Sequence, residues 1–467
     1  MEKARTVVIV GAGFSGVVTA VHLLRSGIGM PLRVILMNRS GWMARGVAYG
    51  TRVSTHLLNV PAGRMSAFAD DEDSFLRFVR TRDASLTGGT FVSRTLYGDY
   101  LEQILADAAG DAAPGTTLLQ LRTEVKEIHR DASGERRAEV VTAEGETILA
   151  DRVVLALGNF APADPPAEDR SFYQHARYIR DPWIPNALQA IGSDASVLLI
   201  GASLTMVDMA LALRSQGVRG KLYAISRRGL LPQAHRSPSV PPAADHCPPG
   251  IDQGPYTARA YLHAVRRHVK TLAAQGVDWR EVIGSLRSLT PRLWQALDIP
   301  ERARFLRHVR PYWEVHRHRM APAAAEALQE MLGTDALEVL AGRVQRFTPG
   351  EEGVEVTFRR RGSDLRETLK VSHVINCTGP GSDMRSLDDP LIRYLREQGV
   401  LRPDPLGLGV ETDTCGALLD REGNASDLLY YVGPLLKAHY WESTAAPELR
   451  IHAARLAGEL IDSLRGT

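Results

Sequence analysis

The sequence predicts an α/β fold in which one strand–turn–helix unit occurs twice and a helical stretch is inserted, and three observations predict it. Residues 7–21 read VVIVGAGFSGVVTAV and residues 197–211 read VLLIGASLTMVDMAL, each an apolar run, a glycine-led turn and a helical apolar spacing. Each opening is followed by the same order of strands: LLQLRTEVKEIHR, AEVVTAEGETI and DRVVLALGN after the first, LEVLAGRVQRF, GVEVTFRRR and SHVINCTGP after the second. Between about 257 and 333 the pattern turns helical, with Tyr261, Val265, Val269 and Leu272 spaced for one face. An internal repeat of this kind predicts two related Rossmann-like dinucleotide-binding domains.

The first unit reads as a buried strand, Val7 to Val10, followed by a helix carrying Val17, Val18, Val21 and Leu24. In the turn between them Gly11 reverses the chain, Gly13 lets a pyrophosphate approach the backbone, and Gly16 lets helix and strand pack closely. A ligand-free βα turn is the alternative. The next strand, RVILMNRSG, ends at Asn38 and Arg39 where such units place an acidic residue on the ribose hydroxyls. Asn38 can still make one or two of those hydrogen bonds, at a cost of roughly 1 kcal/mol for the lost charge.

The second unit opens at Gly201, with Ser203 in the second glycine slot, then Leu204, Thr205 and, further on, Asp208. Its following strand, KLYAISRRG, ends in Ser226, Arg227 and Arg228, where an acidic residue would select NAD. Two guanidiniums there suit a 2′-phosphate, so NADPH is the predicted ligand; the alternative is a pair of solvated surface arginines.

Composition bounds the remaining classes. The chain has 467 residues, 44% hydrophobic and 24% charged, with a formal net charge of +2, so it is long enough for two or three domains and too balanced to argue for nucleic acid or an anionic membrane face. Cys247, Cys377 and Cys415 form no CxxC, which excludes a sequence-local dithiol and gives no metal spacing; no metal is predicted. Lys3 and Arg5 before an apolar run superficially resemble a signal peptide, but the glycines fit a nucleotide turn better. With no run able to span a bilayer, the expectation is a soluble, cytoplasmic protein. The proline-rich connector 160–186 and the irregular stretch 236–255 punctuate the chain. They lead to expected boundaries at 1–190 and 366–467 for the two parts of the first domain, and 191–365 for the second, with its insertion at about 257–333.

The first GxGxxG, the strand end LALGN, the second GxSxxxxD, the segment GVAYGTRVSTHLLNVPAGRMSAFADDEDSFLRF (46–78) and the C-terminal LYYVGPLLKAHYWESTAAPELR together resemble the flavoproteins with two dinucleotide-binding domains. More narrowly they resemble bacterial FAD/NAD(P)-binding oxidoreductases and the flavin-dependent N-hydroxylases. The connector's FYQHARYIRDPW is loosely similar to the His-and-aromatic signature of N-hydroxylases and Baeyer–Villiger enzymes, without its glycine and spacing. The resemblance implies FAD on the first unit, with Gly11, Gly13, Ser15 and Gly16 at the pyrophosphate and Asn38 and Arg39 at the ribose. Val125 and Gly158 also fall in the implied FAD site, and Asn59, Val60, Arg64 and Met65 near the ring. Gly433, Pro434, Trp441, Glu442, Ser443 and Thr444 then lead into a helix whose positive end would face the flavin's pyrimidine edge, unless Ser443 and Thr444 merely cap it.

A third cluster, FLRHVRPYWEVHRHRM (305–320), offers Arg310, Tyr312, His316 and Arg317 to a substrate, a bound anion or the cofactor phosphates; a solvated basic face is the alternative. The reaction implied is monooxygenation of a small nitrogen-containing or anionic molecule: NADPH reduces FAD, and oxygen adds to it as a C4a-hydroperoxide. No residue is singled out as a catalytic acid or base. An NADPH:acceptor reductase and a non-catalytic, redox-gated FAD protein are the alternatives. The partners expected are the substrate and molecular oxygen, not nucleic acid or membrane, and a homo-oligomer is left open.

Overall fold

The apolar run Arg5–Val10 forms strand β1 at the centre of a six-stranded sheet, where Val7, Val8 and Ile9 are fully buried. Each such side chain contributes about 1.5–3 kcal/mol of burial, so this run sets the register of its neighbours. In the computed structural model, which describes residues 4–133, 135–237 and 245–466, β1 pairs in parallel with β2 (Leu32–Met37) on one side. β3 (Thr116–Leu121) lies beyond β2. The strands β4 (Val125–Arg130), β5 (Ala138–Thr142) and β6 (Thr147–Ala150) form a separate three-stranded meander. On the other side of β1 lies β7 (Arg152–Leu155).

A second sheet repeats this plan with seven strands. β8 (Tyr178–Ile179) starts it, β9 (Val197–Ile200) sits centrally, and β10 (Leu222–Ser226) pairs with β9 in parallel. β11 (Leu337–Gly350) does the work that β3, in the first sheet, and β4, in the separate meander, share in the first unit. Its first part, Leu337 to Ala341, pairs in parallel with β10, and from Gly342 it pairs antiparallel with β12 (Gly353–Arg360). β13 (Arg366–Val371) extends the meander, and β14 (His373–Asn376) returns to lie beside β9 as β7 lies beside β1. Only then does the chain rejoin the first sheet, through β15 (Ala417–Leu419) and β16 (Ala425–Tyr431), with β16 pairing with β7.

The α/β fold class, with parallel sheets on two Rossmann-like units, is as predicted. The boundaries differ. β8 joins the second sheet before residue 191, and β13 and β14 belong to it although they follow residue 365, because β14 must fill the slot beside β9. The helical insertion runs from Ala258 to Arg317, and the last helix of the expected 257–333 stretch, Pro322–Gly333, has another role. It is the crossover into β11, burying Ala325, Leu328 and Met331 with the helix Leu204–Ser215 in one core. The connector 160–186 is pinned by Phe172, Tyr173 and Tyr178, which pack with Phe347 of β11.

Of the stretch 236–255, residues 238–244 lie outside the described residues, as does Lys3. Arg5 opens β1 and pairs with Asp151 at 3.1 Å. No helix among the described residues is long and apolar enough to cross a membrane.

Candidate active site

The two glycine turns have the same geometry. Gly11 has φ +109°, and a Cβ built there would stand 2.2 Å from the Ala156 carbonyl oxygen at the end of β7; Gly201 has φ +117°, and its Cβ would stand 2.3 Å from the Cys377 carbonyl oxygen after β14. Gly16 is equally constrained, its Cβ meeting the Gly11 oxygen at 2.0 Å. These glycines are required by the protein's own packing.

Gly13 is different. Its φ of −81° suits any residue, and the nearest atom to its built Cβ is the Gly46 Cα at 3.6 Å. It is the N-cap of the helix Phe14–Arg25 and offers no side-chain cap, leaving the helix's positive end to a ligand. A glycine kept where the protein itself has room for a side chain fits a backbone approached by a pyrophosphate.

A cavity of about 80 Å³ at the ends of β1 and β2 is lined by Gly11, Asn38, Arg39 and Val125, with Phe160 and Leu391 among the others. The Asn38 amide nitrogen donates to Ser40 Oγ at 3.0 Å and to the Trp42 carbonyl at 2.7 Å. Both amide hydrogens are thereby used, so Asn38 presents its oxygen as an acceptor, the role a carboxylate would play. Arg39 pairs with Asp389 at 3.1 Å. A larger cavity of about 590 Å³, lined by Trp42, Arg45, Arg52 and Glu102 among others, touches none of the predicted site residues.

The C-terminal motif reaches the same turn. Gly433 has φ +138°, and its built Cβ lies 3.8 Å from Ser15 Oγ and 3.0 Å from the Tyr431 hydroxyl. Gly158, at φ +69°, has nothing within 4 Å of its built Cβ. The helix that follows is Ala446–Arg465, and its N-cap is Ala445, so Ser443 and Thr444 do not cap it. Ser443 is fully buried and donates to the Pro434 carbonyl, while Thr444 is exposed. The Trp441 indole stacks on Trp294 at 4.7 Å and meets Phe305 edge-on.

At the second turn Ser203 is the extended N-cap of the helix Leu204–Ser215, yet its hydroxyl caps nothing and it is exposed. Thr205 and Leu204 open that helix half-exposed. Beyond β10 the arginines gather. Arg228 donates to the Tyr312 hydroxyl at 3.0 Å, with its guanidinium carbon 5.0 Å from that ring's centre. Burial and then the charges of Arg310, Arg343 and Arg228 lower the Arg227 pKa.

The helix Arg310–Arg317 divides the predicted substrate cluster between its faces. Tyr312 turns to Arg228, and His316 packs edge-on against Trp279 at 4.9 Å. Arg310 pairs with Glu314 at 3.0 Å, and Arg317 meets Glu442 of the C-terminal motif at 2.9 Å. Glu442 also accepts from Trp313 Nε1 at 3.1 Å. Its burial would raise its pKa, but Arg317, His318, the Trp313 bond and Arg287 together hold it below the usual range.

Four residues of consequence were missed by spacing arguments. Asn59 accepts at its carbonyl from His235 Nε2 at 3.0 Å, which fixes the proton on that nitrogen and leaves Nδ1 as the basic one. Burial, and then Arg319, push the His235 pKa down to about 4. Arg64 lies close enough to Arg287 and Arg317 for burial and then their charges to lower its pKa, while Val60 is half-buried and Met65 buried beside it. Between the two sheets, Arg94 pairs with the buried Asp208 at 2.7 Å, and Trp183 lies 5.2 Å beneath the guanidinium. His56 Nε2 donates to the Asp208 carbonyl at 3.2 Å, so its Nδ1 accepts from the Thr51 hydroxyl at 2.7 Å. Asp208, the acid of the second motif, is thus a joint between units. His235 sits outside any periodic run, and only the fold brings it, with Arg319 from the 305–320 cluster, to the loop 59–65.

Residues 8–160 match a protein-family model described as FAD-NAD(P)-binding. No curated protein matches the chain by sequence. Among solved structures, the fold is similar to that of the ornithine hydroxylase PvdA from Pseudomonas aeruginosa, at a TM-score of 0.65 and 16% identity, covering 99% of this chain and 100% of that one. It is similar to L-lysine 6-monooxygenase from Pseudomonas syringae at a TM-score of 0.65 and 17% identity, covering 98% and 99%. The ornithine N-hydroxylase of Kutzneria sp. 744, solved with reduced FAD, NADP⁺ and L-ornithine, matches at a TM-score of 0.63 and 15% identity over 100% of both chains. The fold is therefore shared with these three proteins along nearly the whole chain.

Proposed function

We propose that a chain with this fold is an NADPH-dependent FAD monooxygenase that hydroxylates a small nitrogen-containing or anionic molecule. The observation that carries the reading is the pairing of two like turns with unlike surroundings. One keeps a glycine the protein does not itself need, and the other ends at clustered guanidiniums. The first suits FAD and the second the 2′-phosphate of NADPH. The whole-chain likeness to N-hydroxylases supports the same reading.

In this scheme Gly13 and Ser15 receive the pyrophosphate and Asn38 the ribose. Arg227 and Arg228 hold the 2′-phosphate, and Tyr312 orients Arg228 through its hydroxyl. FAD, once bound, supplies the oxygen-activating chemistry. The protein's part is to bind, orient and exclude water. His235, neutral at physiological pH, offers Nδ1 as a hydrogen-bond acceptor.

The test is rapid mixing of NADPH-reduced, FAD-loaded protein with oxygen, followed by absorbance. Reoxidation in two phases, the first depending on oxygen concentration and the second not, supports oxygenation. A single slow phase, with fast electron transfer to an added quinone, refutes it in favour of an acceptor reductase.

A further inference from the structure

Six guanidiniums converge where the loop 59–65, the segment after β10 and the helical insertion meet, and they face four carboxylates. Arg317 pairs with Glu442 and lies 3.8 Å from Glu448, to which Arg287 also donates. Arg280 pairs with Asp278 at 3.1 Å, and Arg236 with Glu281 at 2.8 Å. Arg64 and Arg319 complete the group, and among the described residues neither has a carboxylate within 4.0 Å. Glu72, the next acid, is engaged by Arg450 at 3.1 Å. The cluster thus carries two positive charges in excess.

Its donors are also in excess where water does not reach: among the described residues, Nε and Nη2 of Arg317, Nε of Arg319 and Nη2 of Arg287 are buried and make no hydrogen bond, against only two such acceptors in the cluster, Oε2 of Glu281 and Oε2 of Glu448. Burial, then the charges of Arg317, Arg280 and Arg64, push the Arg319 pKa down to about 10. A buried guanidinium with neither counter-ion nor acceptor is costly, and an arrangement that gathers several is stable when an anion completes it.

We propose that this cluster is an oxyanion site for the substrate: the molecule acted upon carries a dianionic group, a phosphate or a pair of carboxylates, held by Arg319 and Arg64. The proposal rests on the monooxygenase reading for the word substrate, but the site is defined by this chain's own charges. It makes His235 a neighbour of the bound molecule, since Arg319 is the charge acting most strongly on that imidazole.

The test is thermal-shift titration of FAD-loaded protein with inorganic phosphate and, separately, with malonate, at constant ionic strength held with chloride. The Arg227→Ala/Arg228→Ala variant serves as background, so that the nucleotide-phosphate site does not contribute. Saturable stabilisation by either dianion is expected, and the one that binds more tightly tells whether phosphate or dicarboxylate is the better match. Arg319→Gln should weaken it by at least about tenfold, the value of one charge-assisted contact. Arg319→Lys should restore part of the loss. Should Arg319→Gln not fold, Arg64→Gln carries the same expectation. No saturable response to either dianion, or equal affinity in the Gln variants, overturns the proposal. Because neither NADPH nor oxygen is present, that result leaves the monooxygenase reading standing, and absence of NADPH turnover leaves the titration readable.

Discussion

Three glycines lie within six residues at the first turn, and alanine should affect them in opposite ways. At Gly11 the new methyl would stand 2.2 Å from the Ala156 oxygen on a backbone with φ +109°. Backbone strain and overpacking there cost about 1–3 kcal/mol each, so Gly11→Ala should lose roughly 2–6 kcal/mol of apoprotein stability. Gly16→Ala meets the Gly11 oxygen at 2.0 Å and should fall in the same range, less a gain in helix propensity of about 1 kcal/mol. Gly13→Ala meets only the Gly46 Cα at 3.6 Å and replaces one capless N-cap by another, a change of about 1 kcal/mol or less. Its cost should instead appear in FAD binding. If the methyl displaces the pyrophosphate from two backbone amides, at about 1.5–3 kcal/mol each, affinity falls roughly 10²- to 10⁴-fold. Thermal unfolding of the apoprotein, paired with flavin-fluorescence titration, separates the two effects. A Gly13→Ala protein that binds FAD like the wild type, or that melts as early as Gly11→Ala, refutes the assignment of this turn.

Replacing Arg227 and Arg228 by Ala should raise the KM for NADPH with kcat for flavin reduction nearly kept, and collapse the preference over NADH; steady-state kinetics with both nucleotides decide, and a retained preference counts against the site. Tyr312→Phe should raise the same KM more modestly, by freeing Arg228. Asp208→Asn strands Arg94 between the sheets and should cost about 3–5 kcal/mol in denaturant unfolding, with both glycine turns intact. His56 is held at a pKa of about 4 by burial and then by Arg94, against 6.5 unfolded. The unfolded chain takes up that proton first, so stability is full above pH 6.5 and is lost as pH falls toward 4, by up to about 3 kcal/mol. His56→Gln should flatten the pH dependence of the melting temperature over that window, and an unchanged slope counts against the assignment.

Much of this was legible because it is local. The glycine turns, the strands that feed them and the echo between the halves are short-range patterns, and Gly11 and Gly201 prove to be crowded by equivalent carbonyls. What the sequence concealed depends on where distant segments meet. Nothing in the 305–320 run says that Tyr312 turns to β10 while Arg317 turns to Glu442, because only the helix period divides them and only the fold supplies the two neighbours. Nor does the C-terminal motif say that the Trp441 indole stacks on Trp294 of the insertion, a contact between segments far apart in the chain. The second boundary was misplaced because β14 carries the same apolar signal whether it closes one sheet or begins another. His235 belongs to no periodic segment, and although Arg319 lies in the 305–320 cluster, their meeting at the loop 59–65 had no sequence signature.

The order of strands has a consequence for biosynthesis. The second sheet is complete once β14 has been made, whereas the first still lacks β15, β16 and the helix Ala446–Arg465 that packs on the helix after the first glycine turn. A chain emerging from the ribosome can therefore close its later unit while the earlier one waits, and domains generally fold as units as they emerge. Until the last residues appear, Val17 and Val21 of the first helix lack their partners Leu449, Ala453 and Leu456. The nascent protein must carry that apolar face uncovered through most of its synthesis, which makes the first-born turn the last to be finished.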